Sequence, residues 1–241
     1  MTTAVLITGA SSGIGRAVAE RLLRRPGFTV FATARRPETI EDLRAAGAKI
    51  LALDVTDETS MAAAVRAVEE QHGHVGVLIN NAGYGEYGTI EEAELDAVRR
   101  QFETNVFGFS RMIQLVLPGM RAARAGRIIN IGSMGGRVTF PVGGYYHATK
   151  YAVEAITDAL RFETAPFGIH ASLIAPGLIR TGFGATAART LAASGKPAGP
   201  YAALRAAADE QMAASYASPV LAAEPDAVAS AVEHAATSRR P

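Results

Sequence analysis

The sequence predicts a three-layer α/β fold built on a doubly wound parallel sheet of six or seven strands. Three observations predict it. Short β-branched runs alternate with longer helical patterns along the chain. Most of those runs are almost wholly apolar, as strands buried on both faces of a parallel sheet are. A glycine-rich turn that opens a helix follows the first run directly. The 241 residues suit one large α/β domain or two small ones and suffice to bury a sizeable core. No internal repeat or interdomain linker divides them, so 1–241 reads as a single domain.

Strands are expected at 4–8 (AVLIT), 28–33 (FTVFAT), 49–53 (KILAL), 75–80 (VGVLIN), 127–131 (RIINI) and 170–175 (HASLIA). Helices are expected between them at about 14–25, 38–46, 57–72, 90–122 and 144–166. In the third helix Met61, Val65 and Val68 fall on one side. The Ala/Gly-rich stretch 182–216 lacks strand character and is expected to form a mobile cover over a site rather than a second domain. Ligands of such sheets sit beyond the carboxyl ends of the strands, so function is sought in the residues that follow each strand.

Composition narrows the classes. With 49% hydrophobic and 20% charged residues, the chain reads as soluble and globular. A net charge of +1 implies neither a nucleic-acid nor an anionic-membrane partner, and there is no basic stripe with aromatic platforms. Arg24-Arg25 and Arg121, Arg124 and Arg127 are expected as solvated helix-end charges. The absence of cysteine excludes disulfides, thiolate nucleophiles and Cys-ligated zinc. The five histidines are scattered without H-E-x-x-H, so no metal is expected. MTTAVLITGA is no signal peptide and no apolar run spans a bilayer, which makes cytoplasmic the default location.

The turns after the strands carry the chemistry. After the first comes TGASSGIG (8–15), with Gly9, Gly13 and Gly15 allowing sharp turns and close approach of a ligand. Ser11, Ser12 and Ile14 complete a loop whose helix offers free N–H groups and a positive dipole end to a pyrophosphate. After the second strand, where an acid would bond the ribose 2′-hydroxyl of NAD, stand Arg35 and Arg36. A guanidinium grips a 2′-phosphate in a fork, so NADP(H) is the expected cofactor. Asp54-Val55 follows the third strand, placed for an adenine amino group and ring, although Asp is also a common helix-start residue. After the fourth, Asn80 is expected to tie neighbouring strands, and Asn81, Ala82 and Gly83 to border the cofactor. Ser133 follows the fifth. After the sixth comes PGLIRT, with Pro176, Gly177, Ile179 and a Thr181 able to reach a carboxamide.

The stretch YYHATK (145–150) pairs a tyrosine with a lysine. Residues four apart share a helix face, so Tyr146 meets Lys150, while Tyr145 lies about 140° around and is expected to pack or to line the pocket. The ammonium is expected to lower a phenol pKa that starts near 10. Such a phenol can give a proton to a forming alkoxide or take one from an alcohol, with Ser133 holding the oxygen. A hydrolase set of Ser133, His147 and Asp158 would lack G-x-S-x-G, because Ile131-Gly132 precede the serine.

Taken together, TGASSGIG, Asp54-Val55, NNAG (80–83), Asn105, Ser133, Tyr146-x-x-x-Lys150 and PGLIRT, in order over 4–181, resemble the short-chain dehydrogenase/reductase family. The resemblance implies a Rossmann-type sheet and an Asn105–Ser133–Tyr146–Lys150 tetrad. In it tyrosine is the acid/base, serine orients substrate, lysine also binds the nicotinamide ribose, and asparagine helps hold a water relay. It marks Arg35 as a sign of the NADP-preferring subgroup. It implies an NADP(H)-dependent oxidoreductase interconverting an alcohol with its ketone or aldehyde. Tyr84, Tyr87, Phe140, Tyr145 and Phe183 suit a hydrophobic substrate, similar to those of hydroxysteroid or retinol dehydrogenases. Family dimers form through the helices holding Asn105 and Tyr146, so a homodimer or homotetramer is expected. A further family strand would follow a helix at 225–237, whereas this chain stops at Ser-Arg-Arg-Pro241. The alternative on the same fold is a non-catalytic NADP(H)-sensing regulator, which would be expected to lose the tyrosine or lysine retained here.

Overall fold

Val5 and Ile7 project to one face of the first strand, Ala4 and Leu6 to the other, and all four are buried. Burial on both faces is what a strand between two helical layers requires. The computed structural model describes residues 2–239; Met1, Arg240 and Pro241, including the point where the chain stops, lie outside the described residues. The strands are β1 (Thr3–Ile7), β2 (Phe28–Ala34), β3 (Lys49–Ala52), β4 (Val77–Asn80), β5 (Gly126–Ile131) and β6 (Ile169–Ile174). They form one six-stranded parallel sheet in the order β3-β2-β1-β4-β5-β6. All six match the expected runs to within about two residues at each end.

One face is covered by α1 (Gly13–Leu23) and α9 (Pro225–Thr237), through Val18, Leu22, Val228 and Val232. The short α2 (Glu41–Ala45) adds Leu43 beside them. The other face is covered by α3 (Glu58–His72), α5 (Phe109–Ala123) and α6 (Gly144–Thr164), with Met61, Val65 and Val68 turned inward as their spacing predicts. The order reverses between β1 and β4, and there the crevice beyond the strand ends opens.

A satisfied polar chain crosses the core. Asn80 Nδ2 donates to Asn130 Oδ1 (3.2 Å) and to the Phe109 carbonyl (3.3 Å), and Asn130 Nδ2 donates to Thr157 Oγ1 (3.0 Å). Asn80 thus ties β4 to β5 as expected, through a side chain rather than through backbone. Buried amides paired in this way fix one register, because any slip leaves them orphaned.

Two expectations change, and the 182–216 stretch, without strand character as expected, takes a definite form. The helix foreseen at 90–122 starts only at α4 (Leu95–Phe102), then passes through a wide π turn (Glu103–Gly108) into α5. The 182–216 stretch is two helices, α7 (Gly182–Ala193) and α8 (Ala202–Ala217), between the two-residue strands β7 (Leu178–Ile179) and β8 (Ala222–Ala223). Arg127 is not a solvated charge: its guanidinium donates to the carbonyls of Ala235 (2.8 Å) and Ser238 (2.6 Å), closing the C-terminal end of α9. Among the described residues no helix is long and apolar enough to cross a membrane.

Candidate active site

The turns after β1 to β6 converge on a cleft of about 1180 Å³. At one end lies the glycine-rich loop. Gly9 and Gly13 have φ of +71° and +58°, a conformation that side chains with a Cβ rarely adopt. A Cβ on Gly15 would overlap the Asn81 amide and the Gly9 carbonyl. Gly15 therefore does not border the cleft; its lack of a side chain lets Asn81 Nδ2 reach the carbonyls of Thr8 (3.0 Å) and Gly9 (2.9 Å). Thr8 Oγ1 answers by accepting from the N–H groups of Asn81 and Ala82 (3.0 Å each). Ser12 caps α1 without a side-chain bond, and the N–H groups of Gly13 and Ile14 have no protein partner among the described residues. That helix end fits a pyrophosphate.

Arg35 lies on the cleft rim, exposed and without an ion pair among the described residues, whereas neighbouring Arg16 and Arg44 are paired with Asp42 and Glu41. Arg36 departs from expectation: it is exposed but does not border the cleft. Asp54 borders it, with Oδ1 engaged by the Thr56 N–H (2.9 Å) and hydroxyl (2.8 Å). Val55, Ala82 and Gly83 border it too, as do Pro176, Gly177 and Ile179. Thr181 Oγ1 accepts from the Phe183 N–H (3.2 Å), so it caps α7 while facing the cleft.

At the other end α6 brings up Tyr146 and Lys150, both buried. Lys150 Nζ donates to the Ile131 carbonyl (2.9 Å), which leaves two of its three N–H donors for a ligand. Burial lowers its pKa to about 8. Tyr146 is walled by Phe183 and by a stacked Tyr87, with ring centroids 5.2 and 5.6 Å away. Burial pushes its pKa up to about 12, the Ser133 hydroxyl opposing and Tyr216 adding. The expected lowering by the lysine is therefore not what the fold produces: the rings strip water from the phenol, and desolvation of the phenolate raises the pKa. Tyr146 is a neutral phenol at pH 7, the form that holds a proton to give. Ser133 shares this wall and caps the turn Met134–Gly136, its Oγ accepting from the Gly135 N–H (3.0 Å).

Asn105 stands behind the cleft, buried in the π turn. Its Oδ1 accepts from the Tyr84 N–H (3.1 Å), and its Nδ2 donates to the Tyr84 carbonyl (2.8 Å) and to Thr149 Oγ1 (3.1 Å). It clamps the NNAG turn to α6. Tyr145 is half-buried and does not border the cleft, so one of its two expected roles fails. Residues outside the tetrad also shape this wall. His147 is held between the Phe140 N–H, donating to Nε2 (3.2 Å), and the Gly135 carbonyl at Nδ1 (3.0 Å), and burial lowers its pKa. It is a neutral spacer, and Asp158 is paired with Arg161, so the hydrolase set does not assemble. Val142 has φ of +58°, strained for a β-branched residue, and its carbonyl accepts from the Gly88 N–H (2.7 Å). No sequence signal marks it.

Residues 3–195 match the family model for short chain dehydrogenase. The chain belongs to the short-chain dehydrogenase family. This member is 44% identical over 180 residues to 3-ketodihydrosphingosine reductase of Bacteroides thetaiotaomicron, over 74% of this chain and 65% of that one. It is 41% identical over 192 residues to human 17-beta-hydroxysteroid dehydrogenase type 1, over 75% of this chain and 58% of that one. The match thus spans less than two thirds of either relative. Among solved structures, an actinorhodin polyketide ketoreductase with NADPH superposes with a TM-score of 0.82 at 32% identity, covering 98% of this chain and 91% of that one. The Rossmann-type architecture of this short-chain dehydrogenase follows the family. Family membership leaves the choice between NAD and NADP to the residues that meet the adenosine ribose.

Proposed function

We propose that the chain is an NADP(H)-dependent oxidoreductase interconverting a hydrophobic secondary alcohol with its ketone, or an alcohol with its aldehyde. The observation that carries this reading is the neutral, aromatic-walled phenol of Tyr146 beside the Ser133 hydroxyl, in a cleft whose far end has an arginine with no ion pair and helix N–H groups with no protein partner among the described residues. The nicotinamide supplies the hydride in reduction and accepts it in oxidation. The chain's own residues do the rest. Gly13 and Ile14 hold the pyrophosphate through backbone N–H groups, and Arg35 holds the 2′-phosphate as a fork. Lys150 holds the nicotinamide ribose with its two remaining donors. Ser133 donates to the substrate oxygen and orients it. Tyr146 gives its proton to that oxygen as negative charge develops, and takes one back in the reverse direction. In this desolvated site a phenol with a pKa near 12 is a weak acid, but an alkoxide is a far stronger base, so the transfer runs downhill.

Tyr87, Phe140, Phe183 and Tyr216 make the surroundings apolar, and relatives named for 3-ketodihydrosphingosine and a 17-beta-hydroxysteroid support a hydrophobic substrate. A cytoplasmic homodimer or homotetramer belongs to the same proposal. Exposed Phe107 (57%) on the π turn and Phe162 (84%) on α6 favour self-association through those helices. The test is consumption of NADPH and NADH against steroid, retinoid, acyl-thioester and small aromatic carbonyls, with Tyr146→Phe as control. Tyrosine-dependent NADPH oxidation is expected with one class. NADPH binding without turnover on any class would favour the regulator instead.

A further inference from the structure

We propose that the part-buried Glu92–Arg205 pair is the latch that positions the α7–α8 cover over the cleft, and that through it these two residues set which substrates are retained. This rests on reading the cleft as a substrate site, and it concerns positioning residues, neither of which touches the reacting atoms.

The pair differs from every other ion pair among the described residues. Its side chains are 13% and 10% exposed, whereas each of the others has at least one partner more than a quarter exposed. Exposed pairs contribute little, but a desolvated pair fixes geometry, because separating it leaves an uncompensated charge. Further hydrogen bonds hold it. Arg205 donates from Nη1 to Glu92 Oε2 and from Nη2 to the Lys196 carbonyl, and Glu92 Oε2 also accepts from the Thr89 hydroxyl (3.1 Å).

The turn joining α7 to α8 is shaped around this carboxylate. Gly195 has φ of +68°, and a Cβ there would overlap both Arg205 Nη1 and Glu92 Oε2. A Cβ on Gly199 would come within 2.8 Å of Glu92 Oε1. Two glycines four residues apart thus let the backbone wrap Glu92, which accounts for the glycines in the otherwise plain sequence SGKPAGPY (194–201). Tyr201 adds a bond from its hydroxyl to the Glu91 carboxylate (2.6 Å).

What the latch joins gives it its consequence. Glu91 and Glu92 lie on the segment after β4 that carries Tyr87, which stacks on Tyr146. Helices α7 and α8 carry Phe183, Met212 and Tyr216, the opposite wall of the cleft. At its base the cover is held by Arg180, which donates to the carbonyls of Ser218 and Ala222. At its tip the latch sets the distance between the walls. Cutting it lets the tip part from the strand-4 segment, which loosens the grip on a bulky apolar substrate while Tyr146, Ser133 and Lys150 stay in place.

The test uses the full chain with Glu92→Gln, Gly195→Ala and the charge swap Glu92→Arg/Arg205→Glu. The readouts are subtilisin cleavage within 182–217, NADPH affinity by fluorescence, and steady-state kinetics with a bulky and a small ketone. Expected are about tenfold faster cleavage, NADPH affinity within about twofold of wild type, and KM for the bulky ketone raised about tenfold with kcat nearly kept. Gly195→Ala should do the same with both charges present, and the swap should restore part of the protection. Unchanged cleavage in Glu92→Gln and Gly195→Ala, or equal loss for bulky and small ketones, would overturn the latch. Should the wild type turn over no carbonyl at all, the redox reading fails alone, because the cleavage pattern and its rescue by the swap still decide for or against the latch.

Discussion

At the floor of the cleft, the turns after β1 and β4 are pinned to each other, Thr8 to Asn81 and Ala82 and Asn81 back to Thr8 and Gly9, and Lys150 on α6 is tied to Ile131 at the end of β5. The cover has far fewer ties. Thr190 accepts from the Tyr87 N–H (3.0 Å), Arg205 meets Glu92, and of the sixteen residues of α8 only Arg205 is buried. The difference teaches where geometry is fixed and where it is left adjustable. In the proposed reaction, proton and hydride transfer depend on atoms held within a fraction of an ångström, and the cross-bonded floor suits that demand. Substrate choice needs only a wall at the right distance, which a few removable contacts can supply.

Perturbing the floor should therefore cost chemistry, and perturbing the cover should cost selectivity. The sharpest break is Tyr146→Phe, expected to lower kcat by about 10³-fold while NADPH binding changes less than about twofold; a loss confined to KM would put Tyr146 among the cover's residues instead. Next is Arg35→Asp, expected to shift the NADPH-to-NADH ratio of kcat/KM by about 10–100-fold toward NADH, since a charge-assisted bond is lost and a repulsion added. A ratio that stays put would remove Arg35 from the cofactor site.

Smaller effects sharpen the contrast. Gly15→Ala inserts a Cβ into the Asn81–Gly9 contact and should destabilise the chain by about 1–3 kcal/mol, read in urea unfolding. Lys150 tests the floor through pH. Its pKa is lowered from an ordinary 10.5 to about 8, so the unfolded chain binds more protons between those values. Wild type should gain stability as pH rises through that window, by about 2 kcal/mol between about pH 7 and about pH 9.5, and lose it again as pH falls through 8. Lys150→Met should lack this slope; parallel curves for the two proteins would show that Lys150 is not desolvated.

The same division explains what the sequence revealed. The strands were legible because runs such as AVLIT and RIINI are apolar on both faces, a local property. The turns were legible because glycine, serine and asparagine there answer to local backbone needs. The cover was not, since α8 presents no apolar stripe and its one buried residue is a charge whose partner lies over a hundred positions away. The upward shift of Tyr146 escaped for a like reason: Tyr87, Phe183 and Tyr216 come from three distant segments. The shared face of Tyr146 and Lys150 was correct, yet the expected lowering weighed one neighbour and omitted solvent. Arg36 shows the limit of adjacency in sequence: two neighbouring arginines read alike, yet Arg35 borders the cleft and Arg36 does not.

The π turn at Glu103–Gly108 carries a consequence of a different kind. A wide turn holds one residue more than an ordinary helical turn, and each residue advances the helix by about 100°. The long helix is therefore two screws joined out of phase, with Asn105 at the joint and Gly108 pressed so close to the Val55 carbonyl that a Cβ would overlap it. Removing a single residue here would act as a frameshift in space. Everything from Leu95 to Phe102 would rotate against α5, taking Val98 and Gln101 out of the core, whereas the same deletion among the exposed Arg121, Ala122 and Ala123 at the end of α5 would merely shorten it.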